Sequence, residues 1–225
     1  EIIEGEERFK TILAKVSGVE AVIGKTRYTT LENAIFAANN TKGTPDQQVQ
    51  IDIVTDINKD AKVEVDNTKN ILLNLNGYSI TNHVNDYVFE SSGKVEITDI
   101  TEDGEESTGK IIATTSKLWK NNEGAELKIT KGSIIQNKGG SNSNYPVDCI
   151  TNYGKLTIAG GKIQGNASNV YLIRNYNTAT IDMTGGSILS TAYNHGIVNE
   201  GTGKVKIANG TIDIGLDYKD NLMKK

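Results

Sequence analysis

Along most of the chain, apolar and polar residues alternate in short runs that return in the same order. The run Gly93–Ile97 comes back as Ala125–Ile129, Gly154–Ile158, Ala179–Met183 and Gly203–Ile207. Alternation sends successive side chains to opposite faces, so each run predicts a half-buried strand. A second run, a glycine with isoleucine two residues on, starts at Gly109, Gly132, Gly161, Gly186 and Gly210. A third precedes the first in every unit: Val88–Ser91, Leu118–Asn121, Cys149–Asn152, Leu172–Asn175 and Gly196–Asn199. The last four glycines of the second run, at 132, 161, 186 and 210, are 29, 25 and 24 residues apart. Three strands in fixed order at such a period predict a solenoid.

Coils stacked one strand spacing apart place equivalent residues in vertical columns, and an inward column must stay uniform in polarity. Three columns meet that condition. They are Ile111, Ile134, Ile163, Ile188 and Ile212; Ile97, Ile129, Ile158, Met183 and Ile207; and Phe89, Trp119, Ile150, Ile173 and Ile197. Met183 and Trp119 are therefore read as core. A fourth column, Ser91, Asn121, Asn152, Asn175 and Asn199, falls where strand gives way to turn. Stacked amides can bond one another and the turn backbone, so this is a structural asparagine ladder. The expected fold is all-β: a right-handed parallel β-helix of three-strand coils and about six turns over residues 51–215, five of them regular and one irregular near Leu73–Ile80. A small α/β cap over 1–50 precedes it, and a tail over 216–225 follows.

In the first fifty residues, Phe9, Ile12, Leu13 and Val16 predict a short amphipathic helix, and Val19–Ile23 with Thr26–Tyr28 a hairpin. Thr29 and Glu32 offer a capping box for a second helix with the apolar stripe Leu31, Ala34, Ile35 and Ala38. A two-turn helix with one apolar face is not stable alone, so it is expected to cover the open end of the solenoid. The charged tail after Gly215 is too short to cap the other end well, which leads us to expect a continuing chain or a covering partner there.

Composition fits many turns between many short strands: 23 glycines and 2 prolines in 225 residues. With 24 basic and 28 acidic residues the net charge is -4, which disfavours nucleic acid and anionic membrane as partners. The single cysteine, Cys149, cannot form an intrachain disulfide and reads as a small hydrophobe; no metal or other cofactor is expected. There is no run of 18 apolar residues and no signal-peptide pattern at the N-terminus. Either the protein is cytoplasmic, or this is a mature fragment from which export and anchoring signals have been removed.

Tyr28–Ile35, Ile51–Val54, Leu73–Ile80 and the Gly-Lys-(Val/Leu)-x-Ile units together resemble the pectate-lyase-like right-handed β-helix domains of Gram-positive bacterial surface proteins. The resemblance spans roughly residues 19 to 215, with Asn74 where such domains often carry Asp. It implies an extracellular, cell-surface location, a short helix capping the first coil, and a solenoid used for display or adhesion.

Enzymes on this scaffold cut polysaccharides, which requires carboxylates projecting together or a basic residue beside clustered Asp. No Asp-Asp pair occurs in the coils, and Asp148, Asp182 and Asp213 fall on different strands. Arg174, in an outward column with Glu90, Lys120, Thr151 and Val198, reads as part of a mixed-charge face. The acidic stretch Asp99–Glu106 lacks the ligand spacing of a calcium loop and reads as a solvated insertion. His83 and His195 have no nucleophile near them. The expectation is therefore a non-catalytic binding or display module with a glycan or a host surface protein as partner; the alternatives are a polysaccharide lyase or hydrolase and a ligand-free spacer. Tyr153 and Tyr176 each follow a ladder asparagine and should stack at one turn. With Tyr145 and Tyr171 on the approach to the same strand, these four are the candidate binding residues. The column Val88, Leu118, Cys149 and Leu172 should by alternation point outward, which would mark an interface unless the loop ending at Pro146 covers it or the strand bends there.

Overall fold

The computed structural model describes residues 18–38, 47–83, 85–100 and 108–214. The expected first helix at Phe9–Val16, most of the acidic insertion and the charged tail lie outside these residues. Strands β3 (Val49–Ile53), β4 (Ile57–Lys59) and β5 (Val63–Val65) make the first coil, and β6 (Asn70–Asn74), β7 (Ser79–Asn82) and β8 (Phe89–Ser91) the second. The next four coils are β9 (Lys94–Thr98), β10 (Lys110–Ala113) and β11 (Trp119–Asn121); β12 (Glu126–Ile129), β13 (Ser133–Gln136) and β14 (Val147–Asn152); β15 (Lys155–Ile158), β16 (Lys162–Gly165) and β17 (Val170–Asn177); and β18 (Thr180–Met183), β19 (Ser187–Ser190) and β20 (His195–Gly201). A partial seventh follows with β21 (Lys204–Ile207) and β22 (Thr211–Asp213).

Each strand pairs in parallel with its counterpart one coil away, which produces three sheets: A from β3 to β21, B from β4 to β22 and C from β5 to β20. The fold is a right-handed parallel β-helix. Its first coil was missing from the repeat pattern because no glycine stands two residues before Ile57 and Val65 occupies the ladder position.

The register reproduces the three apolar columns. Ile111 pairs with Ile134 and Ile134 with Ile163, Ile129 with Ile158, and Trp119 with Phe89 and Ile150. These side chains are fully buried, each contributing about 1.5–3 kcal/mol by leaving water. The Phe89 and Trp119 rings stack with centroids 4.5 Å apart, and the indole N–H donates to Ser91 Oγ at 2.9 Å. The ladder is continuous: Asn121 Nδ2 donates to Asn152 at 2.7 Å, Asn152 to Asn175 at 2.6 Å and Asn175 to Asn199 at 2.7 Å. Each of these amides also reaches a turn carbonyl, for example Asn175 to Ala179 O at 2.9 Å.

One expectation is overturned. Val88, Leu118, Cys149 and Leu172 do not point outward; all four are fully buried beside their inward neighbours. Alternation holds only while the chain is straight. The pairing of β14 with β17 runs from Asp148–Tyr171 to Ile150–Ile173 and skips Cys149 and Leu172; that of β17 with β20 skips Leu172 and Gly196. The strand turns a corner at this level, and two consecutive side chains enter the core. In β8 and β11 the corner residues Val88 and Leu118 lie just before the strand begins.

At the N-terminal end, β1 (Ala21–Ile23) and β2 (Thr26–Tyr28) form the expected hairpin, and β1 pairs antiparallel with β3, covering the edge of sheet A. Helix α1 (Leu31–Ala37) buries Leu31, Ala34 and Ile35, and Ala38 just beyond it, against the first coil. Its N-cap is Thr30 rather than Thr29, and the Thr30 hydroxyl accepts from Asn33 N at 3.2 Å. Glu32 makes no capping box because its carboxylate is taken by Lys59 at 2.7 Å. Lys59 also meets Glu20 at 2.6 Å, and Glu20 in turn accepts from Leu31 N at 2.8 Å. A buried ammonium thus pins hairpin, helix and first coil together. At the far end of the described coils, Val205, Ile207, Ile212 and Ile214 are exposed.

Candidate functional site

The outer face of sheet C gathers the groups that the columns of the core leave free. Register places Glu64, Glu90, Lys120, Thr151, Arg174 and Val198 in one outward column. In its early part the charges pair along the stack: Lys62 meets Glu90 at 2.6 Å and Glu64 at 3.0 Å, and Lys120 meets Glu90 at 2.8 Å. Hydrogen bonds from Lys120 and then Lys62 hold the Glu90 carboxyl down at about 2. This part of the face is consumed by its own ion pairs.

The later coils differ. The Tyr153 and Tyr176 rings stack as the sequence predicts, 4.8 Å apart and 11° from parallel. The guanidinium of Arg174 lies 5.0 Å from the Tyr176 centroid and 5.0 Å from that of Tyr171, so it sits against both rings. Such cation–aromatic contacts are worth about 0.5–1 kcal/mol at exposed sites. Glu200 fixes the guanidinium through Nε at 3.0 Å and Nη2 at 2.7 Å. Burial, with help from the Asp148 charge, pushes the Tyr176 hydroxyl up to about 12. Tyr171 also makes a T-shaped contact with His195, centroids 4.9 Å apart. Of the four candidate tyrosines, the structure brings Tyr171 and Tyr176 against Arg174 and stacks Tyr153 on Tyr176. Tyr145 stands apart on the 137–146 loop, 71% exposed.

Repeat reasoning gave Arg174 only a surface-charge role and gave Asp148 none. Asp148, on β14, is buried at 1% exposure. Its Oδ2 accepts from the Thr151 hydroxyl at 2.9 Å, and that hydroxyl also lies 3.0 Å from the Tyr87 phenol. Its Oδ1 has no hydrogen-bond partner. Two cations stand just beyond bonding distance, Arg174 Nη1 at 3.7 Å and Lys117 Nζ at 3.9 Å. Burial raises the Asp148 carboxyl above the usual carboxylate range despite both of them. The sequence held no clear signal for it, because the burial of Asp148 follows from the corner at Cys149, which alternation does not record. Cys149 itself is sealed in, and burial pushes its thiol up, away from the reactive thiolate form.

The remaining acidic candidates stay apart. Asp182 lies on sheet A and Asp213 on sheet B. Asp99 accepts from Gly77 N at 2.6 Å and Gly109 N at 2.7 Å, holding the base of the insertion. Among the described residues no group of three or more His, Cys, Asp or Glu is placed to hold a metal ion. What the face offers chemically is flat aromatic surface, fixed donors and one unused buried acceptor. Comparison of the chain with protein-family models, with curated proteins and with solved structures gives no match.

Proposed function

We propose that the chain is a non-catalytic recognition module of a cell-surface protein, adhesin-like, that presents the outer face of sheet C to carbohydrate. The observation that carries this reading is the assembly of Tyr153, Tyr176, Arg174 and Tyr171, in which three rings and one guanidinium are held against one another over two coils. Rings with polar tips offer apolar area to sugar C–H faces and hydrogen bonds at their edges. The ladder directly beneath fixes them, so little entropy is lost when a ligand arrives. The resemblance to β-helix domains of Gram-positive surface proteins supports the location and the display role.

Binding of the wild type and of Tyr153→Ala/Tyr176→Ala to a glycan array tests this. We expect the double variant to lose about tenfold in affinity, the equivalent of about 1.4 kcal/mol. Unchanged binding would remove this face as the site, and a wild type that binds no glycan would favour a ligand-free spacer.

A polysaccharide-cleaving reading has one observation in its favour, the raised carboxyl of Asp148, since a general acid needs such an environment. Hydrolysis needs a second carboxylate free to act, and Glu200 is engaged by Arg174. Release of shortened or unsaturated products from uronate-containing polysaccharides would replace the binding reading with this one.

A further inference from the structure

The stacked tyrosines do not account for Asp148. An almost fully buried carboxylate with one oxygen unbonded costs stability, and nothing in the stacking of coils requires it, since Tyr171 and His195 occupy the same register position in the next two coils. The ends of two long cations lie beside it, Arg174 at 3.7 Å and Lys117 at 3.9 Å. Arg174 is committed to Glu200 and to two rings. Lys117 is not so held: its side chain is 43% exposed, and its ammonium reaches the Tyr87 hydroxyl at 3.4 Å while standing 5.3 Å over the Tyr87 ring. One loosely held side chain therefore covers both an aromatic face and a buried acceptor.

We propose that Tyr87, Asp148 and Lys117 form a subsite for a neutral sugar ring, in which Lys117 moves aside, the ring lies on Tyr87, and neighbouring hydroxyls bond to Asp148. The inference rests on the carbohydrate reading above and specifies the class of sugar. An anionic ligand would face the Asp148 carboxylate, and a cationic one would face Lys117 and Arg174. A hydroxyl both donates and accepts, so it can give its proton to Asp148 and take one from Arg174. Arg174 Nη1 stands 3.7 Å from Asp148 Oδ1 without a hydrogen bond between them, so both groups keep bonding capacity for a hydroxyl that enters where Lys117 withdraws.

The test is binding of the wild type, Asp148→Asn, Lys117→Ala and Tyr87→Ala to an array carrying neutral hexose oligosaccharides, sialylated glycans and uronate polymers, with thermal unfolding of each protein. We expect the wild type to bind neutral glycans and Asp148→Asn to bind them about tenfold or more weakly, as befits a lost hydrogen bond to a charged acceptor. Asp148→Asn should unfold no earlier than the wild type at neutral pH, because the buried charge is gone, which separates loss of binding from loss of fold. Lys117→Ala should bind as well as the wild type or better. If Asp148→Asn does unfold earlier, Tyr87→Ala decides, with a tenfold loss supporting the subsite and retained affinity overturning it. Wild-type affinity in a well-folded Asp148→Asn, loss of binding in Lys117→Ala, or binding restricted to acidic glycans overturns the subsite while leaving the carbohydrate reading in place. A wild type that binds no glycan removes that reading, and the subsite with it.

Discussion

Asn152 donates to the side-chain oxygen of Asn175 at 2.6 Å, in the same geometry by which Asn121 donates to Asn152 at 2.7 Å. One side chain thus serves as acceptor for the coil before it and donor to the coil after it. It also reaches the carbonyl oxygens of Gly154 at 3.3 Å and Thr180 at 3.2 Å, so the ladder fastens the turns as well as the strands.

Asn152→Ala should therefore leave polar groups of Asn121 and Asn175 unmatched in a buried setting. We expect a loss of about 2–4 kcal/mol, since each buried unsatisfied group costs about 1–3 kcal/mol. Urea denaturation followed by circular dichroism measures it. A loss below about 1 kcal/mol would mean that water replaces the amide and that the ladder is not a principal source of stability.

Lys59 holds the cap, and its pH dependence has a definite sign. Burial opposes its charge, yet the hydrogen bonds it donates to Glu20 and Glu32 outweigh burial and raise its pKa above the ordinary 10.5. A raised value in the folded state means that the contribution is fully present below the unfolded value and disappears as pH climbs through the folded one. Lys59→Met should cost about 2 kcal/mol, less than a fully buried pair because Glu32 is partly exposed. The deficit should be constant from roughly pH 6 to 9 and close only in stronger alkali. Faster proteolysis or hydrogen exchange confined to α1 and the β1–β2 hairpin would locate the effect in the cap; a deficit that grows in alkali would contradict this role.

Glu90 has the opposite sign. Lys120 and Lys62 depress its carboxyl from 4.5 to about 2, so its stabilising contribution is present above 4.5 and fades as pH falls toward 2. Glu90→Gln should cost on the order of 1–2 kcal/mol at neutral pH, a value reduced by the partial exposure of the cluster. Wild type and variant should converge in stability as acid protonates Glu90. Acid titration of both unfolding curves checks this, and parallel curves from neutral pH down to about 2 would show that the ion pairs contribute nothing.

Much of the fold could be read before any coordinates because a β-helix turns lateral packing into sequence repetition. Each residue lies directly above its counterpart one coil away, so Ile111, Ile134 and Ile163 must resemble one another, and Asn121, Asn152 and Asn175 must all be able to donate and accept. The tyrosine stack was legible for the same reason, since Tyr153 and Tyr176 follow successive ladder positions. The first coil was less legible because Ile57 lacks the preceding glycine and Val65 stands where later coils carry Ser or Asn. The corner column failed for a different reason: alternation presumes an extended strand, and the chain bends at Cys149 and Leu172.

The sequence by itself determined what repeats: the three strands of each coil, the apolar columns and the ladder, because stacking imposes the same local requirement every 24 to 29 residues. Only the tertiary structure decided what does not repeat. That Val88 and Leu118 turn inward, that Lys59 joins Glu20 to Glu32, and that Lys117 and Arg174 flank the buried carboxylate of Asp148 all depend on corner angles and on side chains from different coils reaching sideways. Those contacts join unlike residues distant in the chain, and no periodicity records them.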